Sequence, residues 1–314
     1  MLSIVLKNKR LINSYYKMKL SCEGFINALP GQFVMIKVSP HYDPLLRRPM
    51  SFHRIIPPHP PFKKGGRGEF EILYQITGKG TEIMSNLKEG DKIDILGPLG
   101  RGFWFPEGIE KAIIIAGGIG VAPMVALAEE IIKKGQGVKG SRGQGTNFSF
   151  TRTLESSNPQ TLLYVFIGGK TKDDILCKGD FEKIGANVHI ATEDGSMGKK
   201  ETCVDLLREF VINHQSSIVN RQSSIIFACG PNGMLKAIAD ISINKNISCQ
   251  VSLDKNMACG TGACLGCVVK VKGQGVMGQP PESPLTKGDR GGCYKCVCKD
   301  GPVFDAGEIL WKEI

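Results

Sequence analysis

The apolar positions change their period along the chain, and each change marks a boundary. Through the first hundred residues they form short runs or alternate with polar residues: "GQFVMIKVS" (31–39), "MSFHRII" (50–56), "EFEILYQITG" (69–78) and "DKIDILG" (91–97), each bounded by Gly, Pro or Asp. Short runs and period-two alternation mark strands, so residues 1–107 predict a small antiparallel β-barrel. From Lys111 the chain alternates between apolar runs and helical spacing. "KAIIIAGG" leads into "VAPMVALAEEIIKK", "TLLYVFIGG" into "TKDDIL", "VHIATEDG" into "ETCVDLLREFVIN", and "SSIIFACG" into "NGMLKAIADISI". Repeated strand–helix units predict an α/β domain over 108–247, built on a doubly wound parallel sheet. Residues 248–314 are rich in Gly and Cys, and predict a small third domain whose core is partly replaced by a metal centre. The fold class is therefore multidomain.

Three segments interrupt this order: 57–68 ("PPHPPFKKGGRG"), 133–160 and 273–292. They are rich in Gly, Pro, Ser and Lys and hold too little apolar surface to build a core. The first and third resemble each other ("PPFKKGGRG" beside "SPLTKGDRGG"), and "QSSIVNRQSSI" at 215–225 is a shorter internal echo. They read as inserted sequence, tolerated because loop closure costs little per added residue.

Composition changes the picture in three ways. The net charge of +10 invites a nucleic-acid reading, but 57–68 contributes +3 and 133–160 contributes +4, so +7 sits in the inserts. That is solvated loop charge, and no nucleic-acid partner is expected. The longest uncharged run, Ala112 to Ala128, falls short of the ~20 residues a membrane span needs, and Gly117, Gly118, Gly120 and Pro123 break it. It reads as strand, turn and helix, so no membrane partner is expected either. Eleven cysteines in a chain without a visible secretory leader point to metal or redox use in the cytoplasm rather than to a disulfide framework.

The cysteines carry the clearest chemistry. Cys259, Cys264 and Cys267 follow C-x4-C-x2-C, the plant-type [2Fe–2S] spacing. A cluster needs a loop that wraps it with amides aimed at sulfur, and Gly260, Gly262 and Gly266 supply the freedom for that. The fourth ligand must come later, from Cys293, Cys296 or Cys298. A structural zinc site is the competing reading, but zinc knuckles favour paired C-x2-C units over an x4 gap.

Two further regions point to nucleotide cofactors. In "LLRRPMSF" (45–52), Arg48 suits a phosphate and Ser51 a flavin ring edge. In "LYQITGKGT" (73–81), Gly78, Gly80 and Thr81 open a helix, where phosphate binds. Together they suit the pyrophosphate of FAD. "AGGIGVAP" (116–123) and "ACGPNGM" (228–234) are turns at the C-terminal ends of parallel strands, the edge at which such sheets bind ligands. Gly117, Gly118 and Gly120 in the first, and Cys229, Gly230 and Pro231 in the second, leave room for a dinucleotide and its flat ring. The five histidines make no metal spacing or dyad and receive no role, and no catalytic residue is assigned.

In that order "RRPMS", "GKGT", "GPLGRGF" (97–103), "AGGIGVAP" and "CGPNGM" resemble the ferredoxin–NADP reductase superfamily. "VSLDKNMACGTGACLGCVV" and "VCKDGPVF" are more specific still, and resemble the electron-transfer subunit of the two-subunit, NAD-linked dihydroorotate dehydrogenase. The resemblance covers nearly the whole chain outside the inserts. It implies that Arg48, Pro49, Met50 and Ser51 bind FAD, that Leu73, Tyr74 and Gln75 run along its ring and ribityl chain, and that Gly80 and Thr81 contact its pyrophosphate. It also implies Cys259, Cys264, Cys267 and Cys298 as ligands of the [2Fe–2S] cluster. The gap of thirty residues between Cys267 and Cys298 is longer than the family's usual one, and Cys293 and Cys296 are spare thiols inside it.

The activity implied is a relay: a partner subunit with FMN oxidises dihydroorotate for pyrimidine synthesis, and electrons pass through the cluster and FAD to NAD⁺. The expected assembly is a heterotetramer of two plus two. For the nucleotide, Glu193 or Asp194 in "TEDGS" disfavours a 2′-phosphate, whereas Lys170 would welcome one; NAD is the expected choice. Two rivals remain: a subunit of an NAD(P)H-dependent ferredoxin oxidoreductase or sulfide dehydrogenase, whose first cluster ligand is Asp where this chain has Cys259, and a zinc-stabilised regulatory module.

Overall fold

The structure is a computed structural model, and it describes residues 1–23, 28–56, 67–106, 108–135, 161–214, 224–273 and 292–314. The strands β1 (Leu2–Ile12), β2 (Tyr15–Glu23), β3 (Phe33–Lys37), β4 (Arg48–Ile56), β5 (Arg67–Gln75) and β6 (Lys92–Leu99) close an antiparallel barrel in the order β1-β2-β5-β4-β3-β6. β2 shows why the sequence folds this way. Met18, Leu20 and Cys22 are buried in the barrel, while Lys17 and Lys19 between them point outward to Glu71 and Glu69 at 3.8 and 2.6 Å. Phe52 and Phe70 meet edge to face inside, 5.2 Å apart. The short helix α1 (Lys79–Ser85) follows β5.

The second unit begins at β7 (Lys111–Gly117) and adds β8 (Leu162–Gly169), β9 (Asn187–Thr192) and β10 (Ser224–Cys229), with helices α2 (Met124–Gly135), α3 (Lys178–Lys183), α4 (Cys203–Asn213) and α5 (Asn232–Lys245). The C-terminal part supplies β11 (Ser248–Ser252), the hairpin of β12 (Val268–Lys272) and β13 (Gly292–Cys296), and β14 (Val303–Asp305). The six-stranded sheet runs β14-β11-β10-β7-β8-β9 and is parallel except at β14. β7 is apolar and buried from Ala112 to Ala116 because both its faces are covered. Ile113 and Ile115 enter the core on the α4 and α5 side, and Ala112, Ile114 and Ala116 the core on the α2 and α3 side.

Two details differ from the sequence reading. β11 and β14, assigned to the cluster domain by a boundary at 248, pair with each other and carry the parallel sheet outward from β10. The cluster region therefore grows out of the sheet edge. Lys133 and Lys134, placed in the second insert, form the last turn of α2, where both pair with Glu130. The ends of the other inserts are strand as well, since Arg67 and Gly68 belong to β5 and Gly292 to β13. The remainder of the three inserts, and most of the 215–225 echo, lie outside the described residues. Among the described residues, no helix is long and apolar enough to cross a membrane.

Ile114 is fully buried at the centre of the sheet. Ile114→Ala is expected to destabilise the protein by about 2–5 kcal/mol through lost transfer energy and a residual cavity. Denaturant unfolding followed by far-UV circular dichroism would show it as a lowered midpoint.

Candidate functional site

A cavity of about 1150 Å³ lies between the barrel and the C-terminal edge of the sheet. The barrel contributes Phe33 from β3, Pro49, Met50 and Ser51 from β4, and Gln75 from the end of β5. The sheet contributes the two glycine-rich turns, with Gly117, Gly118 and Gly120 in one and Cys229, Gly230 and Pro231 in the other. A third wall comes from the C-terminal part: Ser252, Leu253, Asp254, Met257 and Pro302. Sequence reasoning missed this wall, because it forms only when β11 joins the sheet.

Five expected flavin residues stand outside the cavity lining. Arg48 lies against Gly80, where a side chain would collide with the guanidinium, so the pair expected to hold a pyrophosphate is in contact. Arg48 also donates to the Leu46 carbonyl. The Thr81 hydroxyl accepts from the amides of Thr77 and Gly78 at 3.0 and 3.3 Å and fixes the turn before α1. Of Leu73, Tyr74 and Gln75, only Gln75 reaches the cavity. Tyr74 points into the barrel, because alternate residues of a strand face opposite ways. Its hydroxyl donates to Asn8 Oδ1 at 3.0 Å, and Asn8 in turn holds the carbonyls of Met84 and Leu87 around the end of α1. Leu73 is buried in the core shared with the sheet. These two side chains thus support the wall from behind.

The two glycine-rich turns touch. A Cβ on Gly120 would overlap the Cys229 carbonyl, so only glycine fits between them. Burial, reinforced by Asp254, pushes the Cys229 thiol up to about 12. It is a neutral, soft wall at pH 7 and not a nucleophile.

The far end of the cavity is charged: Lys170, Asp174, Glu193, Asp205 and Arg208 all line it. Asp174 is already engaged, accepting from the Tyr15 hydroxyl at 2.9 Å and from the amides of Lys170 and Thr171. Burial and that bond push Tyr15 up to about 12. Arg208 pairs with Asp205 at 2.7 Å. Asp194, the alternative to Glu193, is tied to Ser196 and lies outside the lining. The "TCVD" that opens α4 is a capping box in which Thr202 and Asp205 bond reciprocally, and it was the available sequence signal for this part of the site.

The cluster loop follows directly from the third wall. Gly260 packs on Met35 of β3. The Thr261 and Cys264 amides each donate to Cys259 Sγ at 3.4 Å, the Gly266 amide to Cys264 Sγ at 3.4 Å, and the Cys298 amide to Cys267 Sγ at 3.4 Å. Gly262, at φ +85°, turns its amide onto Cys298 Sγ at 3.1 Å. The amide of Thr261 leads in drawing the Cys259 thiol down to about 5, whereas burial and the neighbouring Cys267 push Cys298 up to about 12. Four sulfurs met by five inward amides are what an anionic cluster needs, so the residues fit a [2Fe–2S] centre. Of the spare thiols, Cys296 comes within 4.0 Å of the Gly262 carbonyl, while Cys293 sits further back on β13 opposite Val271. Met257 lines the cavity and Cys259 is two residues on, so their Cα atoms are at most about 7 Å apart.

Comparison with known proteins agrees with this geometry. The family model described as the oxidoreductase NAD-binding domain matches residues 114–240. The model of the iron-sulfur cluster binding domain of dihydroorotate dehydrogenase B matches 254–278 and 284–310. The chain is 34% identical to a dihydroorotate dehydrogenase B (NAD(+)) electron transfer subunit of Desulforamulus reducens, over 91% of this chain and 88% of that one. It is 34% identical to the subunit of the same description from Caldanaerobacter subterraneus subsp. tengcongensis, over 98% and 97%. Among solved structures, an NADH-dependent reduced ferredoxin-NADP oxidoreductase superposes with a TM-score of 0.69 at 23% identity, covering 99% of this chain and 91% of that one. The ferredoxin-NADP+ reductase of Plasmodium falciparum gives 0.55 at 15%, covering 80% and 95%. At these identities the two structures speak for the fold.

Gly120→Ala should force the two turns apart. The expected result is at least tenfold weaker dinucleotide binding by calorimetric titration, with flavin absorbance unchanged.

Proposed function

The chain belongs to the family of dihydroorotate dehydrogenase B electron transfer subunits, and from that premise we propose how its parts divide the work. It is an NAD-linked flavin iron–sulfur oxidoreductase subunit, and it serves a catalytic partner that oxidises dihydroorotate. When bound, the nicotinamide takes electrons as a hydride, the cluster carries them singly, and the flavin handles both, so FAD belongs between the other two.

We assign FAD to the barrel unit, 1–107, NAD to the α/β unit, 108–247, and the cluster to 248–314, which leans on the sheet through β11 and β14. Arg48, Gly80 and Thr81 hold the pyrophosphate; the contact of the Arg48 guanidinium with Gly80 supports this. Pro49, Met50, Ser51 and Gln75 flank the ring, and Leu73 and Tyr74 brace that wall from behind. Gly117, Gly118, Gly120, Cys229, Gly230 and Pro231 take the nicotinamide nucleotide. Glu193 sets the preference for NAD by facing the ribose with a negative charge. Cys259, Cys264, Cys267 and Cys298 hold the cluster, and the Gly262 amide on the Cys298 sulfur favours Cys298 over Cys293 and Cys296. No side chain is required as an acid or base, because the cofactors supply the chemistry and the chain supplies placement. We place the protein in the cytoplasm, in agreement with a high cysteine count that points to metal and redox use, in a heterotetramer of two plus two.

The single observation that carries this reading is the shared wall, in which Met257 lines the cavity two residues before the first cluster thiol. Membership of the dihydroorotate family decides against the ferredoxin-oxidoreductase and zinc-module rivals. Purified with its partner, the protein is expected to be yellow-brown, with flavin bands and about two irons per chain. A colourless zinc protein would end the proposal. Cys298→Ser should cut iron to background and abolish the cluster's electron paramagnetic resonance signal, while Cys293→Ser leaves both in place. Glu193→Gln should narrow the preference for NADH over NADPH in flavin reduction rates, and an unchanged ratio would remove Glu193 from its role.

A further inference from the structure

Behind the cavity wall, three side chains that the electron relay does not use come together. His53 is on β4, two residues after Ser51. Cys177 precedes α3, and Asp180 lies in that helix's first turn. A nitrogen of His53, the sulfur of Cys177 and a carboxylate oxygen of Asp180 all lie within 4.8 Å of one another. The contact spans the two units, since His53 belongs to the barrel and the other two to the α/β unit.

The histidine is set as metal-binding histidines are. It is fully buried, and its Nδ1 lies 2.9 Å from the Ala122 carbonyl. Nδ1 must therefore carry the proton and donate it, which leaves the Nε2 lone pair free. Nε2 faces Cys177 Sγ at 3.9 Å. Tetrahedral zinc with bonds of about 2.0 Å to nitrogen and 2.3 Å to sulfur holds these two atoms about 3.5 Å apart. A shift of a few tenths of an ångström closes that difference.

Asp180 supplies the third ligand, since Arg54 occupies one of its oxygens, at 3.3 Å, and the other remains. Arg54 also binds Glu129 at 2.8 Å and Glu71 at 3.4 Å, and Lys17 pairs with Glu71 at 3.8 Å. Two cations thus face three carboxylates, one negative charge in excess. A Cys177 thiolate makes two, which a divalent ion neutralises.

We propose that His53, Cys177 and Asp180 form a second metal site, distinct from the cluster loop, that takes zinc or a similar divalent cation and fastens the barrel to the nucleotide-binding unit. Imidazole, thiolate and one carboxylate are a donor set that suits zinc. Without metal, the thiol donates to Nε2 and both groups are neutral. Burial draws His53 down to about 4 and pushes Cys177 up to about 12. When the cation enters, the metal–sulfur bond replaces the S–H bond and one proton leaves to solvent. Cys177 and Asp180 are each partly exposed, so an ion can reach them from solvent. Since Ser51 and Gly120 line the cavity and stand two residues before His53 and Ala122, an ion here fixes the angle between the flavin wall and the nucleotide turn.

The test is zinc loading of the chelator-washed holoprotein, flavin and cluster intact, followed by gel filtration, elemental analysis and X-ray absorption at the zinc edge. The expected result is one retained zinc per chain with a single sulfur among nitrogen and oxygen ligands, released by Cys177→Ser and by Asp180→Asn with at least a tenfold loss of affinity. Cys293→Ser should retain it. The melting temperature should rise with zinc in the parent and not in Cys177→Ser. Failure to retain zinc, equal retention in Cys177→Ser and Asp180→Asn, or a sulfur-only shell from metal in the cluster loop would each overturn the proposal. The absorption spectrum of the parent decides the ligand set even where a variant folds poorly.

Discussion

Electron transfer between two centres demands that they be close, and in the arrangement we propose the covalent chain enforces the closeness. The cavity wall and the cluster loop are one continuous segment: Leu253, Asp254 and Met257 line the cavity, and Cys259 follows. The returning segment does the same from the other side, with Cys298 four residues before Pro302, itself part of the wall. The Leu253 amide donates to the Pro302 carbonyl at 2.9 Å, which ties the two arms together at the sheet. A binding site for a cluster is therefore anchored by ordinary strand pairing, and the stability of the parallel sheet becomes the precision of cofactor placement.

Electrostatics are divided in the same way. Thiolates repel one another, so a loop that gathers them must supply positive dipoles at short range, and five backbone amides do this, with Lys299 packed on Gly262 beside them. The middle of the cavity is kept neutral, with Cys229 protonated by burial. Apart from Asp254 in the third wall, full charges gather at the far end, where Lys170, Asp174, Glu193, Asp205 and Arg208 line the cavity. Each environment suits a different portion of the path, and none of them needs a proton-transfer residue.

The barrel and the parallel sheet were legible because their strands show clear periods: alternation in β2 and continuous burial in β7. Cys259, Cys264 and Cys267 stood out because their spacing is local, whereas Cys298 is separated from them by thirty residues and was one of three candidates. Pairings across the fold were not. β11 carries only five residues, "SCQVS", three of them polar, and nothing local distinguishes it from the start of a separate domain. Tyr74 belongs to a motif that runs along the cavity, yet strand alternation turns its ring inward to Asn8. Glu193 and Asp194 were equivalent by position until the turn to Ser196 separated them. His53 has no ligand-like neighbour in sequence, and its contact with Cys177 exists only because the two units pack together.

The hairpin of β12 and β13 bears on how this chain tolerates altered length. Its register sets Val268 opposite Cys296 and Lys272 opposite Gly292, so the two ends of the cluster loop, Cys267 and Cys298, are positioned by five cross-strand pairs below the point where the intervening residues begin. The ladder acts as a clamp that isolates the ligand geometry from whatever joins Lys272 to Gly292. Sequence can lengthen or shorten there without disturbing the strand pairs that carry Cys267 and Cys298, which makes this connection a tolerant position for grafting a tag, a label or a tether.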